Sequence, residues 1–314
     1  PKKLSRVPVA PSAVGLKGMG GMFAKPRALA DAEIEAIVAQ FATAARVAKD
    51  AGFAGVQLHA AHGYLVAQFL SPRTNQRTDR WGGSLENRAR FLLWTVRAMR
   101  AAVGPTFPIG VKLNSADFQR GGFTIDEAMQ VATWLDEAGV DLLEVSGGNY
   151  ESPAMHGTGE LQTAPRKTSH AREAYFMDYA QRIREATTMP ILLTGGMRSR
   201  AVMDQALASG AVDVIGLARP MTHMPDLPAR LLDGSLAAAP VVKIRSRVRI
   251  LDDALQVMWF QAQIHAMGQG REPNPKLGKL VALLRGFWHN FGPFGRRAYR
   301  GGPARTVREQ KAAA

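Results

Sequence analysis

Cysteine is absent from this 314-residue chain, which excludes disulfides, thiolate-bound zinc, iron–sulfur clusters and a cysteine nucleophile. Apolar residues nowhere run for the ~20 positions needed to cross a bilayer, so integral membrane association is not expected. Acidic residues are scarce, 26 against 40 basic ones, giving a formal net charge of +14. Such a surplus suggests nucleic acid or a membrane surface only if it is spread over the molecule. Fourteen basic and four acidic residues lie from Pro240 onward, so +10 of that charge belongs to the end of the chain. No secretory signal pattern is present, and a cytoplasmic location is expected. The sequence begins at Pro1, and its first methionine is Met19. With 46% hydrophobic and 21% charged residues, what remains is globular composition, enough for a sizeable core.

Residues 1–29, rich in Pro and Gly, read as an opening loop. A helix follows, with Ile34, Ile37, Val38, Phe41, Ala45 and Ala48 on one stripe and Gly52 as its stop. The short apolar run from Gly55 to His59 then suits a buried strand. This unit recurs. Helices over Ser84–Val103, Thr124–Ala138, Arg172–Thr188 and Ser199–Ser209 precede strands over Pro108–Leu113, Val140–Ser146, Pro190–Thr194 and Val212–Leu217. Strands of Val, Ile and Leu separated by amphipathic helices imply an α/β fold with a parallel sheet. Gly-rich and polar segments ("HAAHGY", "NSADF", "SGGNY", "TGGM", "GLARP") cluster at the carboxyl ends of the strands, which favours a (β/α)8 TIM barrel. Only five of its eight strands are found, and the first residue is not Met, so the chain is expected to be the later part of a longer one. Residues 1–239 are read as the C-terminal portion of the barrel and 240–314 as a basic helical extension.

Two imidazoles and a phenol, His59, His62 and Tyr64, fall at and just beyond one strand end. Imidazole N–H groups can hold a carbonyl oxygen, and a phenol can protonate a carbanion-like carbon. A structural role, with one His capping a helix and Tyr64 packing its ring, is the plainer alternative. A metal pair is a third, although the motif contains no carboxylate. The stretch from Gln68 to Leu92, dense in Arg, reads as a loop satisfying its own backbone, with Ser84 starting a helix. Gly195 and Gly196, followed one strand later by Gly216, Ala218 and Arg219, suggest a phosphate cradle of backbone N–H groups and a guanidinium fork. Lys112 falls at an inward position, where an ammonium needs an anion: either a bound cofactor or Glu144 on the neighbouring strand.

The segments "GFAGVQLHAAHGYLVAQFLSPRTNQRTDRWGGSLENRARFLL", "IGVKLNSADFQRGGF", "LLEVSGG", "ILLTGGM" and "DVIGLARP", in this order between about Pro26 and Pro220, resemble the old yellow enzyme family of FMN-dependent ene-reductases. The resemblance implies an eight-stranded barrel whose fourth strand carries His59. It implies that His59 and His62 hold the substrate carbonyl and that Tyr64 donates the proton. Lys112 would stand beside the flavin, Ser146 and Gly147 would line the same mouth, and Gly195, Gly196, Ala218 and Arg219 would grip the FMN phosphate. Electrons would come from NADH or NADPH, and the substrate would be an electrophilic alkene, an α,β-unsaturated carbonyl compound. No metal and no nucleic acid are expected, and homo-oligomerisation stays open.

Two rival readings remain at this point. One is a metal-dependent barrel hydrolase or lyase using His59 and His62. The other is a non-catalytic binding protein whose basic tail contacts an anionic surface or nucleic acid. For the tail itself, a helix pair, packed under the barrel or at a subunit contact and ending in a solvated basic segment, is expected ahead of membrane or nucleic-acid binding.

Overall fold

The computed structural model describes residues 7–15, 24–148, 169–242, 244 and 252–291. The chain groups into two compact units, Pro1–Leu217 and Ala218–Ala314.

In the first unit, Val9–Ala10 (β1) and Arg27–Ala28 (β2) form a two-residue parallel pair within the stretch read as an opening loop. Helix α1 (Asp31–Asp50) buries Ile34, Val38 and Ala45, three positions of its predicted stripe. Its start has no side-chain cap. Instead Glu33 reaches back to the Ala30 N–H at 2.9 Å while also receiving both Arg27 nitrogens. Gly52, at φ 86°, ends it in the left-handed conformation that glycine adopts without penalty.

Strands β3 (Val56–Ala60), β4 (Ile109–Asn114), β5 (Leu142–Ser146), β6 (Ile191–Thr194) and β7 (Val214–Gly216) lie side by side, all parallel, in chain order. Between them run α2 (Leu65–Leu70), α3 (Leu85–Val103), α4 (Ile125–Glu137), α5 (Ser169–Arg184) and α6 (Arg200–Ala208). Helix α3 starts where Ser84 accepts from the Asn87 N–H, and α4 starts on a reciprocal Thr124–Glu127 box. Helix α2 was not read from the sequence. The Arg-rich stretch behind it does the structural work expected of it. Asn75 Nδ2 donates to the carbonyls of Phe69 and Trp81, both at 2.7 Å, and Arg77 reaches the carbonyls of Pro11 and Leu29.

The sheet's two faces differ in chemistry because side chains alternate along each strand. Leu58, Ala60, Ile109, Val111, Leu113, Leu143, Val145, Ile191 and Leu193 are buried on one face, the side covered by helices. Helix α2 lies against β3, α3 against β4, α5 against β6 and α6 against β7. The other face carries Gln57, His59, Lys112, Asn114, Glu144, Ser146, Thr194 and Gly216. An all-parallel sheet normally buries apolar residues on both sides. A polar row on one side therefore marks where ligand chemistry belongs.

The second unit contains a 3-10 turn (Arg219–Thr222) and helices α7 (Leu227–Leu232), α8 (Asp252–Met267) and α9 (Lys279–Phe291). The helix pair expected in the extension is present as α8 and α9. The basic segment beyond residue 291 lies outside the described residues.

Candidate active site

Strand register assembles the centre of the polar face. His59 pairs with Lys112, and Lys112 with Glu144, so the three stand in one row across β3, β4 and β5. Lys112 Nζ donates to Glu144 Oε1 at 2.7 Å, which is the carboxylate alternative of the two weighed for this lysine. Burial alone would raise the Glu144 pKa. Hydrogen bonds from Lys112, Thr194 and Gln57 outweigh it and hold the carboxyl below its ordinary value.

Glycine makes that grip possible. Thr194 pairs in register with Gly216. A Cβ on Gly216 would fall 1.9 Å from Thr194 Oγ1, so the hydroxyl occupies the space a side chain would need. Gly216 thus leaves room for Thr194, Thr194 holds Glu144, and Glu144 holds Lys112 beside His59.

One step toward the carboxyl ends, the chain turns at His62, which adopts φ 60°. Its N–H donates to Asn114 Oδ1 at 3.1 Å, and its Nε2 lies 2.7 Å from Ser146 Oγ. The His59 and His62 ring centroids are 5.2 Å apart, and those of His59 and Tyr64 are 4.9 Å apart. Tyr64 stands at the start of α2 and is 45% exposed. His59 Nδ1 is buried without a hydrogen-bond partner among the described residues. Such an orphan costs stability unless a ligand completes it.

Burial, followed by the Lys112 charge, lowers the pKa of both imidazoles, with Glu144 opposing; His62 falls to about 4. Both rings are therefore neutral near pH 7, and each can present an N–H as a hydrogen-bond donor. No group of three or more His, Asp or Glu placed to hold an ion occurs among the described residues.

Of the other expected site residues, Ser146 sits in the row above Glu144 and meets His62. Gly147 faces the Phe118 ring, which a Cβ would approach to 2.5 Å, and Ser115 Oγ. Gly195 and Gly196 form the turn after β6 at φ 133° and 71°. Ala218 and Arg219 belong to the second unit, where Arg219 opens the 3-10 turn and its carbonyl accepts from Thr222 Oγ1 at 2.7 Å. Asn114, Thr194 and Gln57 were not singled out from the sequence. Their signal was the strand alternation that places them on the same face as Lys112.

These residues fit a flavin. His59 Nδ1 lacks a partner, Lys112 is fixed on a polar and partly open face, and a Gly–Gly turn with positive φ follows the fourth of the five strands.

Comparison with known proteins agrees. Residues 4–236 match the profile of the NADH:flavin oxidoreductase / NADH oxidase family. The NADH-dependent flavin oxidoreductase iliE of Hypocrea jecorina (strain QM6a) is 41% identical over 234 residues, covering 71% of this chain and 58% of that protein. Among solved structures, a 2-naphthoyl-CoA reductase in complex with 2-naphthoyl-CoA is 33% identical with a TM-score of 0.66, over 74% of this chain and 34% of that one. The old yellow enzyme homologue from Zymomonas mobilis is 28% identical with a TM-score of 0.59, over 77% of this chain and 66% of that one. The chain spans 58% of the length of the iliE relative and about a third of the naphthoyl-CoA reductase. Its parallel sheet and helices are part of an old yellow enzyme-type TIM barrel, and the chain belongs to the NADH:flavin oxidoreductase / NADH oxidase family.

Proposed function

We propose that this chain supplies the substrate-facing part of an FMN-dependent ene-reductase acting on α,β-unsaturated carbonyl compounds. The observation that carries the proposal is the convergence of three rings, His59, His62 and Tyr64, with both imidazoles held neutral. FMN, when bound, supplies hydride transfer between NADH or NADPH and the alkene. Neutral His59 and His62 donate N–H bonds to the substrate carbonyl oxygen and stabilise the negative charge that grows there. Tyr64, exposed beside them, delivers a proton to the α-carbon.

Lys112 places a positive charge on the cofactor-facing side, and the Glu144 bond at 2.7 Å fixes its position. A lysine offers a point charge there rather than a fork, so its position matters more than its orientation. Gly195, Gly196, Ala218 and Arg219 are assigned to the phosphate by the family resemblance, with backbone N–H groups and a guanidinium as donors.

The test is direct. Full-length protein carrying this chain, incubated with FMN, should retain yellow colour through gel filtration and consume NADH in the presence of an enone. His59→Ala and His62→Ala should each slow that reaction at least tenfold. A protein that takes up no FMN and leaves NADH untouched with any enone overturns the proposal.

A further inference from the structure

Helix α9 carries an apolar stripe that the helix pair does not use. Its inner side is committed to α8. Ala282 is fully buried, and a Cβ on Gly286 would come within 2.8 Å of Met258 Cγ, so the two helices meet at close range there. The connection is fixed as well. Trp259 Nε1 donates to the Leu277 carbonyl at 2.9 Å. The Gln263 side chain bonds Asn274 in both directions, donating to its carbonyl at 3.0 Å and accepting from its N–H at 2.7 Å. The hairpin therefore holds α9 in one rotation about its axis.

On the opposite side, Leu280, Leu284 and Trp288 recur at four-residue steps and are 65%, 63% and 56% exposed, with Val281 alongside. Isolated exposed leucines need no explanation, whereas a contiguous stripe of this kind marks an interaction surface. Arg271 and Lys276 in the connection before α9, and Lys279 and Arg285 on α9 itself, are all exposed. Between Ala254 and Arg308 the sequence has nine basic residues and a single acidic one, Glu272.

We propose that this face is a peripheral docking surface for an anionic lipid bilayer. Charge decides among the occupants. A second copy of the chain would bring two positive surfaces together, whereas acidic headgroups complement them. Trp288 at one end of the stripe is the side chain type favoured at the level of the headgroups. Thirteen residues span only about 20 Å, too short to cross a bilayer, so α9 lies in the plane of the surface. Among the described residues no helix is long and apolar enough to cross a membrane. The surface is independent of the hydride chemistry proposed above, and its test needs neither FMN nor substrate.

Co-sedimentation of the protein with vesicles provides that test. Vesicles of phosphatidylcholine containing a minority of phosphatidylserine should bind it about tenfold or more tightly than phosphatidylcholine alone, with binding weakening as NaCl is raised. Leu280→Asp and Leu284→Asp lie at exposed positions and should keep the circular dichroism spectrum while abolishing binding. Tryptophan emission should shift to the blue on adding the anionic vesicles, and Trp288→Phe should remove that shift. Arg285→Glu should weaken binding without changing the fold. The proposal is overturned by equal binding to both vesicle types or to neither. It is also overturned if binding survives both aspartate variants, which would leave the basic tail alone responsible. A concentration-dependent dimer that Leu284→Asp dissociates would assign the face to a second copy and likewise overturn it.

Discussion

On the helix-covered face of the five-stranded sheet, Leu58, Ile109, Val111, Leu113, Leu143, Ile191 and Leu193 are almost wholly withdrawn from water. On the other face, residues one position away along the same strands are ionised, hydrogen-bonded or partly open to solvent. The same backbone thus serves two tasks, and the two-residue repeat of a strand keeps them apart. Stability is concentrated on the covered face, where each large side chain contributes about 1.5–3 kcal/mol by burial. The polar face holds groups that cost stability when left alone, including the orphaned His59 Nδ1 and a charge pair with little access to water. Substitutions on the two faces should consequently separate folding from chemistry.

The largest effect on folding is expected on the covered face. Leu113→Ala removes a side chain that is 1% exposed and should lower unfolding free energy by about 3 kcal/mol in denaturant titration, within the range for buried leucines. A loss below about 1 kcal/mol would mean that the covered face does not carry the fold as argued.

Next comes Glu144→Gln, on the polar face but buried. The amide keeps the shape and removes the charge, leaving the Lys112 ammonium beside a neutral partner. Breaking such a pair is costly, but Lys112 retains 20% side-chain exposure, so about 2 kcal/mol is expected rather than the full cost of a sealed pair. Lys112 should also react faster with an amine-directed reagent, since its carboxylate no longer holds it. Unchanged lysine reactivity would separate Glu144 from the positioning of Lys112.

How much of this was legible in the sequence depends on the range of the interaction. The strand and helix alternation could be read because the long helices display their period and the strands stand out as short apolar runs between them, and capping residues such as Ser84 and Thr124 are local. His59, His62 and Tyr64 could be singled out because they sit within six positions of one another. Glu144 was named only as an alternative partner for Lys112. Thr194 went unread because its role exists only through pairing with Gly216, and Gly216 looked like a phosphate-cradle residue. Helix α2 has six residues, fewer than the two turns needed to show a stripe. The left-handed turn at His62 could not be read, since positive φ is uncommon for any non-glycine residue even though histidine is among those that adopt it more often.

Acid should act on the polar face first. The His62 pKa is lowered to about 4 by burial and by Lys112, so the folded chain binds fewer protons there than the unfolded chain between roughly pH 6.5 and 4. Its contribution is fully present above about pH 6.5 and is lost as pH falls toward 4, by on the order of 2 kcal/mol given partial solvent access. Glu144, whose pKa lies below its ordinary value, loses its contribution only at still lower pH. His62→Asn should reduce the slope of stability between pH 6.5 and 4 without abolishing it, because His59 is lowered by the same burial and Lys112 charge, and should leave the steeper acid limb in place. A wild-type profile without slope in this window would place His62 in a more solvated setting than its bonds to Asn114 and Ser146 imply.

The smallest effect on folding should accompany the sharpest effect on chemistry. Tyr64 is 45% exposed, so Tyr64→Phe should change unfolding free energy by no more than about 0.5 kcal/mol. In the FMN-loaded protein the same substitution should slow NADH consumption with an enone by about a hundredfold or more, the usual scale for losing a positioned proton donor. Oxygen as acceptor supplies the control, because its reduction requires no proton on carbon, and NADH oxidation by oxygen should proceed at the unmodified rate. Equal slowing with both acceptors would mean that the phenol acts in binding or reduction of the cofactor. An unchanged rate with both would remove Tyr64 from the reaction and leave the imidazole pair without the proton donor proposed for it.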